Sequence, residues 1–123
     1  MTDYNQQFGN KGENIALNFL KELGYSILEK NWRHSNLEID IIAKDKNTIV
    51  IVEVKIRNTD MYGDPEDFVN RNKQKLLIRA ANAYIIRNNI NADVRFDIIA
   101  IIETKDGGLS IKHLVDAFYP DVN

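Results

Sequence analysis

The sequence contains no cysteine, only two prolines and no long apolar run. Without cysteine the chain cannot form a disulfide framework, a thiolate zinc site or a cysteine nucleophile. This composition is compatible with a reducing compartment, and we expect a cytoplasmic protein. No apolar run approaches the roughly 18 residues that a membrane span needs. The polar N-terminal stretch lacks the apolar segment of a secretory signal. We therefore expect no membrane partner.

A strong positive charge is also missing, since 16 Lys and Arg against 18 Asp and Glu give a net charge of −2. Nucleic-acid binders are often strongly basic, so this balance disfavours tight non-specific DNA binding. It does not exclude an enzyme, because a carboxylate metal site itself contributes negative charge. The chain has 123 residues, 44% of them hydrophobic. That is enough for one domain, residues 1–123, with a buried core.

The periodicity of apolar residues predicts two helices and five strands. The helices are expected at about 11–23 and 71–87, with Leu23 and Leu76 on their respective apolar faces. The strands are expected at 25–33, 37–43, 48–56, 94–102 and 109–115. Gly24 is placed to end the first helix, and Asp64-Pro65 has the pattern of an N-cap followed by proline. Short turns predict antiparallel pairing of the first three strands, and the strand–helix–strand unit predicts a parallel pair. The predicted fold is α/β, a mixed central sheet flanked by helices.

Charged residues interrupt two strands that are otherwise apolar. In the third strand, Glu53 and Lys55 share a face with two isoleucines, while the opposite face is wholly apolar. In the second strand, alternation places Glu38, Asp40 and Ile42 on one face, and Leu37, Ile39, Ile41 and Ala43 on the other. A four-residue hairpin loop, residues 45–48, sets Asp40 opposite Glu53. A two-residue loop, residues 45–46, sets Glu38 opposite Glu53 instead.

Two carboxylates facing each other repel, so a sheet does not keep them together for stability alone. A divalent cation resolves the conflict, because Mg²⁺ binds one or two carboxylates together with water and phosphate oxygens. Lys55, on the same face, is suited to orient or deprotonate an attacking water or to stabilise phosphate charge. The alternative is a solvated, salt-bridged strand face, since Glu-Val-Lys is a common tripeptide.

The order of these motifs resembles the PD-(D/E)XK nuclease superfamily and, more narrowly, the UPF0102 or YraN-like family. The resemblance extends from about Gly9 to Phe118. Its matching stretches are Gly12-Glu13, Ala16, Leu20, Gly24, Asn31-Trp32-Arg33, residues 38–43, residues 52–55, Arg57, Tyr62-Gly63, Pro65, Lys73, Lys75-Leu76, Ala80, residues 95–97 and Ala117-Phe118. It implies a restriction-endonuclease-like α-β-β-β-α-β core, similar to that of archaeal Holliday-junction resolvases.

The resemblance also implies a chemistry, namely metal-dependent hydrolysis of phosphodiester bonds in DNA with Mg²⁺ or Mn²⁺. By matching position, Asp40 and Glu53 are the expected metal ligands and Lys55 the catalytic lysine. Glu13 is expected to reach in from the first helix as a further catalytic acid, and Glu38 is an accessory acid. Two departures are present: Ile39 stands where the superfamily has proline, and Leu37 where the family commonly has glycine. Neither removes a ligand.

Basic and amide side chains near the predicted site are candidates for phosphate contacts, which position a nucleic acid without reading its sequence. They are Arg33, Arg57, Lys73, Gln74 and Lys75. The expected partner is DNA rather than RNA, branched or distorted DNA being one option, and paired cuts in a junction require a homodimer. The alternative function is a catalytically weak or inactive nucleic-acid-binding or assembly module. Structural roles are expected for Arg95 and Asp97 as a salt bridge, and for Trp32 in the core. Both histidines are expected at the surface or at an edge of the sheet.

Overall fold

The computed structural model describes residues 2–58 and 69–120, with side chains from residue 11 onward. Its elements are α1 (Thr2–Glu22), β1 (Ser26–His34), β2 (Leu37–Asp45), β3 (Thr48–Asn58), α2 (Arg71–Arg87), β4 (Asp93–Glu103) and β5 (Leu109–Phe118). This order confirms the predicted one, although α1 begins nine residues earlier than predicted. The predicted Asp64-Pro65 cap lies outside the described residues. Asn70 caps α2, its side chain accepting a hydrogen bond from the Lys73 backbone amide at 2.9 Å.

The five strands form one sheet in the order β1-β2-β3-β4-β5. The pairs β1–β2, β2–β3 and β4–β5 are antiparallel, whereas β3 and β4 are parallel and joined through α2. The fold is therefore a mixed α/β fold with a five-stranded sheet flanked by two helices, consistent with a restriction-endonuclease-like core. Within the described ranges, no helix is long and apolar enough to cross a membrane.

Each face of the sheet is covered by one helix, so the molecule has two apolar clusters. The cluster under α1 is formed by Ala16, Leu17, Leu20, Ile41, Ala43, Val50, Val52, Ile99 and Ile101. The cluster under α2 contains Ile39, Ile42, Ile49, Ile51, Val69, Leu77, Ala80, Ala81, Tyr84, Phe96, Ile98 and Phe118. The predicted alternation of β3 is confirmed, because its valines face α1 and its isoleucines at 49 and 51 face α2.

Three expectations about the apolar faces are wrong. Ile39 packs in the α2 cluster rather than with Ile41 and Ala43, so β2 does not alternate regularly around Asp40. Leu23 and Leu76, expected on the buried faces of the helices, are 51% and 44% exposed. Both leucines lie at the border of an apolar helix stripe, where sequence spacing does not separate a buried from an exposed position.

The turns confirm the expected chain path and fix one register. Gly24 has a φ of +92°, and α1 ends there with a bond from the Tyr25 amide to the Leu20 carbonyl at 3.0 Å. In the β2–β3 hairpin Lys44 pairs with Ile49, the register that sets Asp40 opposite Glu53. The loop is nonetheless only residues 46–47, because 45 and 48 also pair. The register with Glu38 opposite Glu53 is wrong.

Candidate functional site

The Asp40 carboxylate lies where the β2–β3 ladder ends. Paired residues extend from the hairpin to Ile41 and Val52. One residue beyond, Asp40 Oδ2 accepts a hydrogen bond from the Val54 backbone amide at 2.9 Å. The Asp40 side chain thus accepts the hydrogen bond that a backbone carbonyl would accept if the ladder continued. This bond fixes the acid at the point where the two strands separate, next to Glu53.

Glu53 is buried beside Asp40 without a directed partner for one of its oxygens. The residue is 3% exposed, and Oε2 has no hydrogen-bond partner among the described residues. Lys73 Nζ lies 3.4 Å from that oxygen and Lys55 Nζ lies 4.0 Å from it. These ammonium groups make charge contacts, but neither has hydrogen-bond geometry. A buried, unsatisfied carboxylate oxygen is uncommon in folded proteins and calls for a functional explanation.

The proton affinity of Glu53 reflects this environment. Burial raises the pKa of Glu53 to about 8, the neighbouring Asp40 carboxylate adds to the rise, and the charges of Lys73 and Lys55 oppose it only in part. The two carboxylates therefore resist being charged at the same time. A bound divalent cation removes that conflict, since its charge favours ionisation of both acids.

Glu13 approaches the pair from α1, and the residue before it explains how. Gly12 is buried, and a Cβ built at this position overlaps Ile56 Cδ1 and lies 2.7 Å from Ile56 Cγ1. Glycine thus lets α1 pack closely against the end of β3. Burial and then the charge of Asp40 raise the pKa of Glu13, which is consistent with a position facing the acid pair.

These side chains line an open cavity of about 320 Å³. Its polar lining is Glu13, Asp40, Glu53, Lys55, Arg57 and Lys73. Arg57 is held in place by a bond from its Nη1 to the Ile56 carbonyl at 2.8 Å. In the described segments no three His, Asp or Glu side chains form a ready-made metal cluster. A site of two carboxylates completed by water and phosphate oxygens matches the usual ligation of Mg²⁺, and the buried Glu53 Oε2 is available for it.

The remaining predicted site residues lie elsewhere. Glu38 forms an exposed ion pair with Arg33 at 3.7 Å, outside the cavity lining, although its charge reaches Glu13. Gln74 and Lys75 line a separate groove on α2. The structure therefore brings together the four predicted catalytic residues with Arg57 and Lys73, and leaves the other four candidates outside the acid cavity.

A second buried acid, Asp97, lies on the α1 face of the sheet, opposite the face of Glu53. It accepts two bonds from Arg95 at 2.9 Å, which confirms that predicted salt bridge, and one from the Asp116 amide at 2.9 Å. His113 Nε2 is 2.7 Å from Asp97 Oδ2, and its side chain is only 9% exposed. His113 lies on the edge strand β5, as expected, but its side chain is buried rather than at the surface. Trp32 packs against Tyr84 at 5.2 Å, as expected for a core residue.

Two of these contacts escaped the sequence reasoning. Lys73 was expected to bind phosphate rather than to pair with Glu53, because nothing in the sequence sets the rotation of α2 relative to β3. His113 and Asp97 are 16 positions apart, and no local spacing links them. The one available signal was the inward position of Asp97 in an apolar strand, since a buried carboxylate needs partners.

Comparison with known proteins gives a consistent family assignment. The family described as "Uncharacterised protein family UPF0102" matches residues 12–101. A UPF0102 protein of Flavobacterium psychrophilum is 45% identical, covering 97% of this chain and 98% of the relative. A UPF0102 protein of Bacteroides thetaiotaomicron is 43% identical, with 98% of both chains covered. A UPF0102 protein of Clostridium botulinum is 44% identical over 93% of this chain and 95% of the relative. The match includes every residue of the acid cavity.

Proposed function

The chain belongs to the UPF0102 family, and on that premise we propose that it hydrolyses phosphodiester bonds of DNA with a divalent cation held by Asp40 and Glu53. The observation that carries this proposal is the buried Glu53 Oε2, which lacks a hydrogen-bond partner in the described part of the chain and lies beside a second carboxylate. Such an arrangement disfavours the folded protein unless a ligand compensates it.

Each residue of the cavity has a role in this proposal. Asp40, oriented by the Val54 amide, and Glu53 hold the cation. When bound, Mg²⁺ or Mn²⁺ supplies charge that polarises the scissile phosphate and acidifies water. Lys55 Nζ, 4.0 Å from Glu53, orients the attacking water or stabilises the phosphate charge that develops. Glu13 is a further acid for moving a proton from that water. Lys73, 3.4 Å from Glu53 Oε2, would be available to contact a phosphate if a cation compensated that carboxylate.

The substrate assignment to DNA rests on the chemistry of the cavity and on the resemblance to resolvases. The cavity is open, and three cationic side chains line it besides the acids: Lys55, Arg57 and Lys73. Phosphate groups of a nucleic acid match this mixture of a metal site and a cationic rim. Branched or distorted DNA is the proposed form, a homodimer the proposed state for paired cuts, and the cytoplasm the proposed location.

The experiment is a cleavage assay with end-labelled four-way junction and linear duplex of equal length, in Mg²⁺, in Mn²⁺ and in EDTA. The wild type is expected to cut with metal only. Asp40→Asn is expected to lose the activity. Asp93→Asn, which removes an exposed acid at the start of β4, is the charge-matched control and is expected to retain it. Equal metal-dependent activity in Asp40→Asn and wild type contradicts the site assignment.

A second candidate function is a nucleic-acid-binding or assembly module without useful turnover. Two observations favour it: Lys73 and Lys55 already compensate part of the charge of Glu53, and the described residues hold no cluster of three metal-binding groups. This candidate predicts DNA or partner binding that survives Glu53→Ala, with no cleavage by the wild type. The nuclease proposal predicts cleavage by the wild type and none by that variant.

A further inference from the structure

Positive charge is concentrated on α2, although the chain as a whole is slightly acidic. The segment Arg71–Arg87 contains five Lys and Arg and no Asp or Glu, within a protein of net charge −2. Three of these cations, Arg71, Lys75 and Arg79, follow one another at intervals of four residues. They therefore form one stripe along the helix, and all three are exposed.

This cationic stripe forms one wall of a groove of about 480 Å³. The other lining includes Ile78 of the same helix and, from the segment after β5, Tyr119 and Pro120. Tyr119 is 67% exposed. Among the residues that the structure describes, no acidic side chain lines the groove. It thus combines a row of positive charges with an accessible aromatic ring.

The groove is separate from the acid cavity. Lys73 lies between Arg71 and Lys75 in sequence, and residues two apart on a helix point to different sides. Its ammonium group faces Glu53 at 3.4 Å. The first turns of α2 therefore present cations on two sides, one to the acid cavity and one to the groove. The basic residues at the start of α2 were candidates for phosphate contacts from the sequence, whereas Tyr119 and Pro120 were not.

We propose that this groove binds a single strand of DNA, with its phosphates on Arg71, Lys75 and Arg79 and a base stacked on Tyr119. The cation stripe spans about 12 Å, from a rise of about 1.5 Å per residue, which corresponds to the rise of three to four nucleotides in one strand of B-form DNA. Cationic grooves with an aromatic platform are the usual means of binding single strands without sequence preference. An acidic peptide matches the charges but makes no use of the exposed ring.

The inference rests on the proposed function, because it adds a strand-binding subsite to a DNA-cleaving protein. Its test is nevertheless independent of catalysis. Fluorescence anisotropy of a labelled oligothymidylate of about 12 nucleotides is measured in EDTA over a series of salt concentrations. Cleavage by the acid cavity requires metal, so it does not contribute in EDTA. The assay therefore measures oligonucleotide binding by the groove even if the protein has no nuclease activity.

The decisive variant is Lys75→Ala/Arg79→Ala. Its control, Lys21→Ala/Arg87→Ala, removes the same charge from exposed positions outside the groove. The groove variant is expected to bind about tenfold more weakly at low salt, and the magnitude of the slope of log affinity against log salt is expected to fall by about 1.4. The control is expected to behave as wild type. Equal weakening in both variants overturns the proposal, because binding is then a general effect of charge.

Substitution of Tyr119 distinguishes binding of a nucleic-acid strand from binding of other anions. Tyr119→Ala is expected to lower affinity about tenfold through loss of stacking, and Tyr119→Phe is expected to retain it. If Tyr119→Ala has no effect and poly-glutamate competes as well as the oligonucleotide, the groove binds acidic protein and the proposal is wrong. Absence of oligonucleotide binding by the wild type at low salt also overturns it, while the metal-dependent cleavage assay decides the proposed function separately.

Discussion

Two acids are buried among the described residues, and they differ in their hydrogen-bond partners. Glu53 on β3 is 3% exposed and Asp97 on the adjacent β4 is 0% exposed. Asp97 accepts hydrogen bonds on both oxygens from Arg95, His113 and the Asp116 amide. Glu53 Oε2 has no such partner within the same residues. Arg95 is itself held by Asp45 at 3.2 Å and by the Tyr25 hydroxyl at 2.7 Å.

The pKa shifts of the two acids have opposite signs for this reason. Burial by itself raises the pKa of Asp97, but the bonds from His113, Arg95 and the Asp116 amide outweigh it and hold the pKa below its usual value. For Glu53, burial and Asp40 raise the pKa to about 8. Burial of a carboxylate therefore does not by itself indicate a function, whereas a lack of hydrogen-bond donors to a buried carboxylate does. Asp97 is fully hydrogen-bonded within the fold, whereas the proposed function explains the unsatisfied oxygen of Glu53 as a position kept for a cation.

The largest effect of a substitution is expected at Lys55, on the rate of DNA cleavage. Lys55→Met removes the ammonium group but keeps both carboxylates, so the cleavage rate is expected to fall by about 10²- to 10⁴-fold. Metal binding by calorimetry is expected to be retained. Lys21→Met, at an exposed position outside both the acid cavity and the α2 groove, serves as the control for loss of a cation. Cleavage within twofold of wild type in Lys55→Met contradicts a catalytic role for the lysine.

Isosteric neutralisation of the two buried acids is expected to change stability in different directions. Asp97→Asn breaks a satisfied buried ion pair, and the free energy of unfolding is expected to fall by about 3 kcal/mol. Glu53→Gln replaces a carboxyl group whose ionisation the site disfavours with a neutral isostere, and is expected to leave stability at neutral pH unchanged or to raise it. Urea denaturation at neutral pH without metal measures both. Similar destabilisation in the two variants contradicts the distinction drawn between the acids.

The pH dependence of stability is expected to separate the acids further. The folded pKa of Asp97 is lowered from 3.8, so its contribution is present above about pH 4 and is lost on further acidification. The folded pKa of Glu53 is raised from 4.5 to about 8, so its contribution is fully present below pH 4.5 and is lost as pH rises towards 8.

The measurement is urea denaturation of metal-free protein from pH 3 to 9, with each variant compared with wild type. Between pH 5 and 8, wild type is expected to lose stability relative to Glu53→Gln, with a slope of at most about 1.4 kcal/mol per pH unit. Below pH 4, the stability difference between wild type and Asp97→Asn is expected to shrink. If the stability difference between wild type and Glu53→Gln stays constant from pH 5 to 8, the pKa of Glu53 is not raised in the folded protein.

The smallest effect, on the free energy of unfolding, is expected from loss of the Asn70 cap that binds the Lys73 amide. Asn70→Ala removes the side-chain cap of α2, at 2.9 Å from the Lys73 amide, and is expected to lower the free energy of unfolding by about 1 kcal/mol. Asn82→Ala, at an exposed position in the same helix, is the matched control and is expected to be neutral or slightly stabilising. Thermal denaturation measures both. Equal effects of the two substitutions contradict the capping role.

Much of this site could be predicted from sequence because its geometry is local. Asp40 and Glu53 lie on consecutive strands of a hairpin, where the two-residue alternation and the loop define the register. The face of Glu53 and Lys55 followed from the same alternation. Local rules failed at Ile39, which adjoins the point where the ladder ends and the Asp40 side chain accepts the Val54 amide.

Contacts between distant elements could not be predicted in this way. The pairing of Lys73 with Glu53 depends on how α2 packs on the sheet, and the groove at Tyr119 depends on where the chain runs after β5. The network of Asp97 joins β4, β5 and the turn after α1 through residues that no sequence spacing relates. Tertiary packing decides such contacts, whereas periodicity reports only which face of an element is apolar.

The most direct test of the central claim is calorimetric titration of Mg²⁺ and Mn²⁺ into wild type and Asp40→Ala, with junction DNA cleavage assayed in parallel. The account predicts metal binding by the wild type, its loss in Asp40→Ala, and cleavage only where metal binds. Absence of metal binding by the wild type, even with DNA present, contradicts the account. The unsatisfied acid pair is then a structural feature without a catalytic role, and the binding-module function takes precedence.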